Sequence, residues 1–216
     1  MSPEAGAGRP LRADAERNRR LVLATAGRML AERGTDVTLN EIAREAGVGV
    51  GTVYRRFPDL RTLIDALFTE RFASFLRLAT DARGESDPGR ALRRYVLDAA
   101  ARRAADPALE VIVEHASVDR PEIARMRDEL GRHVDGLVER AVTAGAVHAD
   151  VTASDVYNVL HMLGAVADRT ESLAPGAWRR YAEVLLAGFG LAADARERTA
   201  PMTDEQIRRA TWPPRP

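Results

Sequence analysis

The chain has 216 residues, of which 45% are hydrophobic, 30% are charged and only 5% are aromatic. This length allows one large domain, or a small domain joined to a medium one. The absence of cysteine excludes disulfide bonds and thiolate metal sites. No apolar run approaches the roughly 20 residues that span a bilayer, and the N-terminus carries no apolar signal segment. We therefore expect a soluble, cytoplasmic protein with no membrane partner.

Charge is balanced overall but unevenly distributed along the chain. All 32 basic residues are arginine, and they match 32 acidic residues. The segment 9–20 nevertheless carries arginine at positions 9, 12, 17, 19 and 20, against acidic residues only at positions 14 and 16. A second group of arginines follows at positions 55, 56 and 61. Such local clusters matter more for a nucleic-acid partner than the net charge does.

The aliphatic, alanine-rich composition predicts an all-α fold of about nine helices. Glycine and proline mark most of the breaks between them, at Gly34, Pro58, Pro107, Pro121 and Pro175. In chain order, the helices are expected at about 14–33, 39–46, 50–56, 59–82, 88–105, 108–117, 121–144, 153–170 and 176–191, with a short one ending near residue 210.

The segment 38–57 has the pattern of a helix-turn-helix. Thr38 and Glu41 have the spacing of a capping box, in which the hydroxyl and the carboxylate each accept a backbone N–H of the first turn. Gly47 suits a sharp turn that needs a residue without a Cβ, and Val48 is expected to point inward. The buried faces of the two helices are expected to consist of Leu39, Ile42, Ala43, Ala46, Val53 and Phe57.

The outward positions of the second helix are the candidate DNA contacts. They combine a methyl group, a glycine that permits close approach, hydroxyls and guanidiniums, a mixture that suits phosphate binding and base recognition in a major groove. Arg55 or Arg56 has the geometry to pair bidentately with guanine. The predicted DNA-binding residues are Thr38, Val50, Gly51, Thr52, Tyr54, Arg55, Arg56 and Arg61.

This stretch resembles the TetR family of bacterial transcriptional regulators over about residues 14–68. The matching residues are ERG ending at Gly34, Thr38, IA ending at Ala43, AGV ending at Val48, GT ending at Thr52, Tyr54 and Phe57. The resemblance implies a three-helix DNA-binding head on a larger helical domain that binds a small effector and dimerises. Leu60 departs from it, because the family usually has a phosphate-binding lysine there, and Arg61 or Arg56 is the candidate substitute. Gly49 replaces the usual serine.

The resemblance also divides the chain. We expect a disordered arm over 1–13, the helix-turn-helix domain over 14–58, the effector-binding and dimerisation domain over 59–191, and a tail over 192–216. Apolar stripes with small residues on the last two long helices suit a four-helix interface across a two-fold axis; the alternative is that both stripes pack within one subunit. The predicted dimer residues are Val156, Leu160, Leu163, Trp178, Tyr181, Leu185 and Phe189.

An effector pocket is expected among the helices at 88–105, 108–117 and 121–144. Its lining is mostly apolar, which favours an apolar or amphipathic effector. His115 lies on an apolar helix, where it either bonds a ligand or is an ordinary core or surface histidine. The predicted pocket residues are Tyr95, Ile112, His115, Met126 and Leu130.

The sequence offers no candidate for catalysis. The four histidines are scattered, and no phosphate-binding loop, nucleophile elbow or metal-ligand spacing occurs. We therefore predict no enzyme activity, no cofactor and no metal. The predicted function is a ligand-responsive repressor that binds a palindromic operator in double-stranded DNA as a homodimer and is released by its effector. The main alternative is a helical architectural DNA-binding protein without an effector; a helical enzyme or carrier has little sequence support.

Overall fold

The computed structural model describes residues 8–191 and 201–211, which form ten helices and no β-strand. The all-α prediction is therefore confirmed. No helix in this part of the chain is long and apolar enough to cross a membrane. The helices are α1 (Gly8–Arg33), α2 (Leu39–Glu45), α3 (Val50–Arg56), α4 (Leu60–Arg83), α5 (Pro88–Ala104), α6 (Leu109–His115), α7 (Pro121–Thr143), α8 (Ala153–Thr170), α9 (Trp178–Gly188) and α10 (Asp204–Thr211).

The described residues group into two compact units. The first extends to Arg71 and also takes in Ala108–Ala124, and the second comprises Phe72–Pro107 together with the described residues from Arg125 onward. The first unit is thus built from two separate stretches of the chain. The boundary expected after residue 58 falls inside it, because the first three turns of α4 belong with the head.

The first unit has α1 at its centre, in contact with both α2 and α6, while α2 packs against α3. The second half of α1 supplies most of the buried surface, since Leu23, Ala26 and Leu30 are at most 1% exposed. Their spacing of three and four residues places them on one helical face, which is the periodicity that the sequence shows.

The second unit is organised around α5, which packs against α8 and α9, while α10 packs against α8. A glycine at Gly164 allows the side chain of Arg103 to cross α8, because a Cβ at that position would collide with the guanidinium. The ion pair between Arg93 and Glu183, at 2.6 Å, joins α5 to α9. Glycine in the α8 stripe therefore serves packing within the unit.

Two boundaries differ from expectation. α1 begins at Gly8 rather than at residue 14, so residues 8–13 of the expected disordered arm are helical. Pro10 is compatible with this start, because the first turn of a helix has no intrahelical partner for its N–H groups. α9 is shorter at both ends than the expected 176–191. The expectations for residues 1–7, 192–200 and 212–216 lie outside the described residues.

Candidate nucleic-acid interface

The N-terminus of α2 is fixed by the capping box that the sequence predicts. The Thr38 N–H donates to Glu41 Oε2 at 2.8 Å, and the Glu41 N–H donates to Thr38 Oγ1 at 3.2 Å. Arg33 donates to the other carboxylate oxygen of Glu41 at 3.0 Å. The hydroxyl and backbone bonds from Thr38, followed by the bond from Arg33, lower the pKa of Glu41 from 4.5 to about 2. The start of α2 is therefore anchored to the end of α1.

The turn between α2 and α3 depends on Gly47, whose φ of 65° lies in the left-handed region. Immediately after it, the Val48 N–H donates to the Ala43 carbonyl at 3.0 Å. Val48 is 9% exposed, which confirms its inward orientation. The turn thus sets the direction in which α3 leaves α2.

α3 has one buried face and one outward face. Val53 and the adjoining Phe57 are 2% and 3% exposed and hold the helix against the first unit. Val50 and Tyr54, which lie three residues before Val53 and Phe57 on the flank of this buried face, are each 44% exposed. All eight residues predicted to bind DNA are exposed.

Gly51 lies on the outward face of α3, and the fold itself does not require a glycine there. A Cβ added at Gly51 would meet no atom within 4 Å, and its φ is not in the left-handed region. A glycine inside a helix lowers stability by roughly 0.5–1 kcal/mol relative to alanine. A glycine at this position would allow a partner to approach the backbone of α3 closely.

Arg61 occupies a different environment from the rest of the predicted set. Its Nε donates to Ser117 Oγ at 2.7 Å, and its Nη2 lies 3.3 Å from the Asp119 carboxylate. A phosphate contact by Arg61 would therefore compete with Asp119. Arg56 has no ion pair with any carboxylate in the described part of the chain, which makes it the better candidate for the missing lysine contact.

The same region contains a buried carboxylate that sequence reasoning missed. Asp65 of α4 is 2% exposed. It accepts the Ser117 N–H at 2.8 Å and the Ser117 hydroxyl at 2.9 Å, and it forms an ion pair with Arg120 Nε at 3.1 Å. These bonds fasten the α6–α7 loop, residues 116–120, to α4. Separations of 52 and 55 residues leave no local signal for this network.

A groove of about 430 Å³ lies between the first half of α1 and α3. Its α1 wall includes Arg19, and its α3 wall includes Thr52, Arg55 and Arg56. Arg19, Arg56 and Phe57 also line a neighbouring cavity of about 180 Å³. The arginine cluster noted in the N-terminal sequence therefore adjoins the candidate DNA-binding helix.

The five predicted pocket residues are divided between the two units. Ile112 and His115 belong to the first unit, whereas Tyr95, Met126 and Leu130 belong to the second. Ile112 and Tyr95 are 0% and 1% exposed, so both side chains are buried. His115 is exposed, with Nδ1 3.0 Å from the Val111 carbonyl oxygen. The assignment of these residues to an effector pocket stays a prediction, because sequence periodicity identifies an apolar face but not whether the facing space is filled.

Four of the seven predicted dimer residues are buried within the single chain. Val156, Leu160, Leu163 and Trp178 are at most 7% exposed. This burial fits the alternative of packing within one subunit, and their role in a dimer stays a prediction. Tyr181, Leu185 and Phe189 are half-buried.

A different set of apolar residues is exposed on the same two helices. Tyr157 and Met162 of α8 are 39% and 46% exposed, and Val184 of α9 is 58% exposed. Tyr157 and Met162 are five residues apart, or about 140° around the helix, so they lie on different sides of the buried stripe of α8. A shallow cavity of about 190 Å³ beside Val184 is lined by Arg180, Glu183 and Ala187.

Comparison with known proteins accounts for both parts of this architecture. Residues 22–67 match the model of the bacterial regulatory proteins of the tetR family, and residues 87–191 match the model of the SbtR-like transcriptional regulator C-terminal domain. An HTH-type transcriptional regulator from Mycobacterium bovis is 31% identical over 151 residues, which cover 69% of this chain and 77% of that protein. The chain belongs to the TetR family. It is a TetR-family helix-turn-helix transcriptional regulator.

Solved TetR-family structures have the same fold. The regulator from Mycobacterium vanbaalenii is 31% identical, with a TM-score of 0.56, over 83% of this chain and 99% of that one. A γ-butyrolactone receptor is 26% identical, with a TM-score of 0.58, over 82% and 97% of the two chains. A Rhodococcus regulator at 23% identity and a TM-score of 0.65 shows the fold alone. The members of the TetR family are transcriptional regulators, and this chain is one of them.

Proposed function

We infer that this chain binds a palindromic DNA operator as a homodimer, acts as a repressor, and is released by a small apolar or amphipathic effector. The observation that carries the DNA-binding part is the outward face of α3. Its polar and apolar side chains are exposed together on a helix whose other face is anchored by Val53 and Phe57. A helix presented in this way fits the major groove of B-DNA, which is wide enough to admit it.

Roles within α3 follow from chemistry. Arg55 donates to Thr52 Oγ1 at 3.1 Å, which holds its guanidinium over the outward face. Thr52 and Tyr54 supply hydroxyls for phosphate oxygens, and Val50 supplies methyl groups for a thymine contact. Arg56 binds a phosphate or a guanine edge, in place of the lysine that the family usually has at the position of Leu60.

Footprinting on the DNA upstream of the chain's own gene tests this proposal. We expect protection of two half-sites about one helical turn apart. Tyr54→Ala and Arg56→Ala should each weaken binding by about 1–3 kcal/mol, or roughly tenfold to a hundredfold. Glu139→Ala, an exposed substitution in the second unit, is the matched control. Wild-type affinity in both α3 variants would reject the assignment.

Dimerisation is assigned to the outward faces of α8 and α9. Tyr157, Met162 and Val184 are large apolar side chains exposed on these helices, and recognition of a two-fold palindrome requires a two-fold protein. We expect Val184→Glu to convert the dimer to a monomer in sedimentation equilibrium. Leu21→Glu replaces another exposed apolar residue, on α1, and should leave the protein dimeric. A dimeric Val184→Glu protein would exclude this face.

The effector proposal rests on similarity to a solved structure. The γ-butyrolactone receptor that shares the fold supports a small amphipathic ligand. The dense packing of Tyr95 and Ile112 favours the alternative, an architectural DNA-binding protein without an effector. Titration of the protein–DNA complex with a library of lactones and fatty acids decides between them. Release of DNA supports the repressor, since effector and DNA affinities are reciprocally coupled; unchanged affinity throughout supports the architectural protein.

A further inference from the structure

None of the described side chains in the N-terminal half of α1, residues 14–20, is buried. Residues 14–17, 20 and 21 are exposed and residues 18 and 19 are half-buried, so the first buried residue of the described side chains is Val22. A short helical segment in water is only marginally stable without packing. Its extension beyond the core therefore calls for another role.

One side of this segment forms a wall of the groove against α3. Ala15, Asn18 and Arg19 face Thr52 and Arg55 across it. Any DNA strand that follows the outward face of α3 consequently passes beside α1.

The arginines of this segment have weak carboxylate partners that a phosphate could replace. Arg17 pairs with Asp14 at 3.0 Å, but both side chains are more than half exposed, and such pairs contribute little. Arg19 has its carboxylate neighbour, Glu16, only at 3.7 Å. Arg20 is exposed. Guanidinium groups bind phosphate oxygens through paired N–H donors, so these side chains are complementary to a DNA backbone.

We propose that the N-terminal half of α1 is a second DNA-contacting element, whose Arg17, Arg19 and Arg20 bind backbone phosphates flanking the base pairs that α3 contacts. The proposal rests on the DNA-binding function inferred above. Arg19 and Arg56 line both the groove and the smaller cavity next to it, so the two guanidiniums flank one phosphate path. The α1 element adds affinity and a longer footprint rather than base recognition.

The salt dependence of binding measures such contacts directly. The probe is a fluorescent random-sequence duplex of about 40 base pairs, long enough for two half-sites and their flanks. For Arg17→Ala/Arg19→Ala/Arg20→Ala, we expect the slope of log K against log salt to fall by about 2–3 per protomer, since each phosphate contact adds about 0.9. The full-length control Arg94→Ala/Arg125→Ala/Arg132→Ala removes the same charge from exposed positions of the second unit and should retain the wild-type slope.

The variant Arg17→Lys/Arg19→Lys/Arg20→Lys distinguishes an effect of lost charge from an effect of altered folding. It should recover most of the slope, because lysine keeps the charge, while helix content stays the same in all variants by circular dichroism. If the alanine triple keeps the wild-type slope while Arg56→Ala lowers it, the α1 proposal is overturned and the α3 assignment stands. If the wild-type protein binds no duplex even at about 50 mM salt, both proposals are overturned.

Discussion

Replacing Asp65 by alanine should destabilise the first unit substantially. The substitution removes the acceptor of the Ser117 N–H. Because Ser117 is only 2% exposed, water does not replace that acceptor, and the loss costs about 1–3 kcal/mol. The substitution also removes the partner of Arg120. Breaking a fully buried ion pair costs about 3–5 kcal/mol, but the Arg120 side chain is 42% exposed and regains hydration. We therefore expect a total of about 2–4 kcal/mol, and about half of that for Asp65→Asn, which keeps an acceptor.

Urea unfolding at fixed protein concentration measures the global change. Hydrogen exchange of the Ala116–Arg120 amides reports the local one, because the loop loses its attachment to α4. Asp81→Ala removes an exposed carboxylate from the same helix and should change stability by less than about 0.5 kcal/mol. If Asp65→Ala matches that control in both measurements, the buried network does not hold the loop, and the reasoning from burial and bond geometry is refuted.

Three further predictions concern other parts of the structure. The pKa of Glu41 is lowered from 4.5 to about 2, so the hydrogen bonds of the ionised carboxylate stabilise the fold fully above pH 4.5. This stabilisation is lost as the pH falls through 2, because the carboxylate becomes protonated. The difference in melting temperature between the wild type and Glu41→Gln should therefore shrink as the pH is lowered over this range. Gly51→Ala should raise the free energy of unfolding in urea by roughly 0.5–1 kcal/mol yet weaken DNA binding. Gly47→Ala should destabilise the protein, because Gly47 has a φ of 65°. An increase in both stability and DNA affinity for Gly51→Ala would contradict close approach of DNA to α3. Gly164→Ala should cost about 1–3 kcal/mol because its Cβ displaces Arg103, and wild-type stability would show that the arginine moves freely.

Features with local causes could be read from the sequence. The capping box at Thr38, the turn at Gly47 and the start of α5 at Pro88 each depend on residues within four positions of one another, so their chemistry is visible in a short window.

Features with distant causes could not be read in this way. The apolar stripe containing Leu160 indicates that one face of α8 is covered, but a core and a partner subunit leave the same pattern. Met162 is exposed on another side of the same helix, and the periodicity of the buried stripe does not predict this exposure. Asp65 likewise looks like an ordinary helical carboxylate until folding brings Ser117 beside it.

The split origin of the first unit has a practical consequence for protein engineering. A DNA-binding head grafted from this chain onto a relative as one continuous segment, ending at residue 58 or 71, would lack residues 108–124. The surface of α1 that contacts α6 would then be uncovered or matched to a foreign helix, and Asp65 would face a loop that did not evolve with it. Chimeras that carry both stretches should retain specificity and fold, so the unit of exchange among these regulators is spatial and not a contiguous sequence.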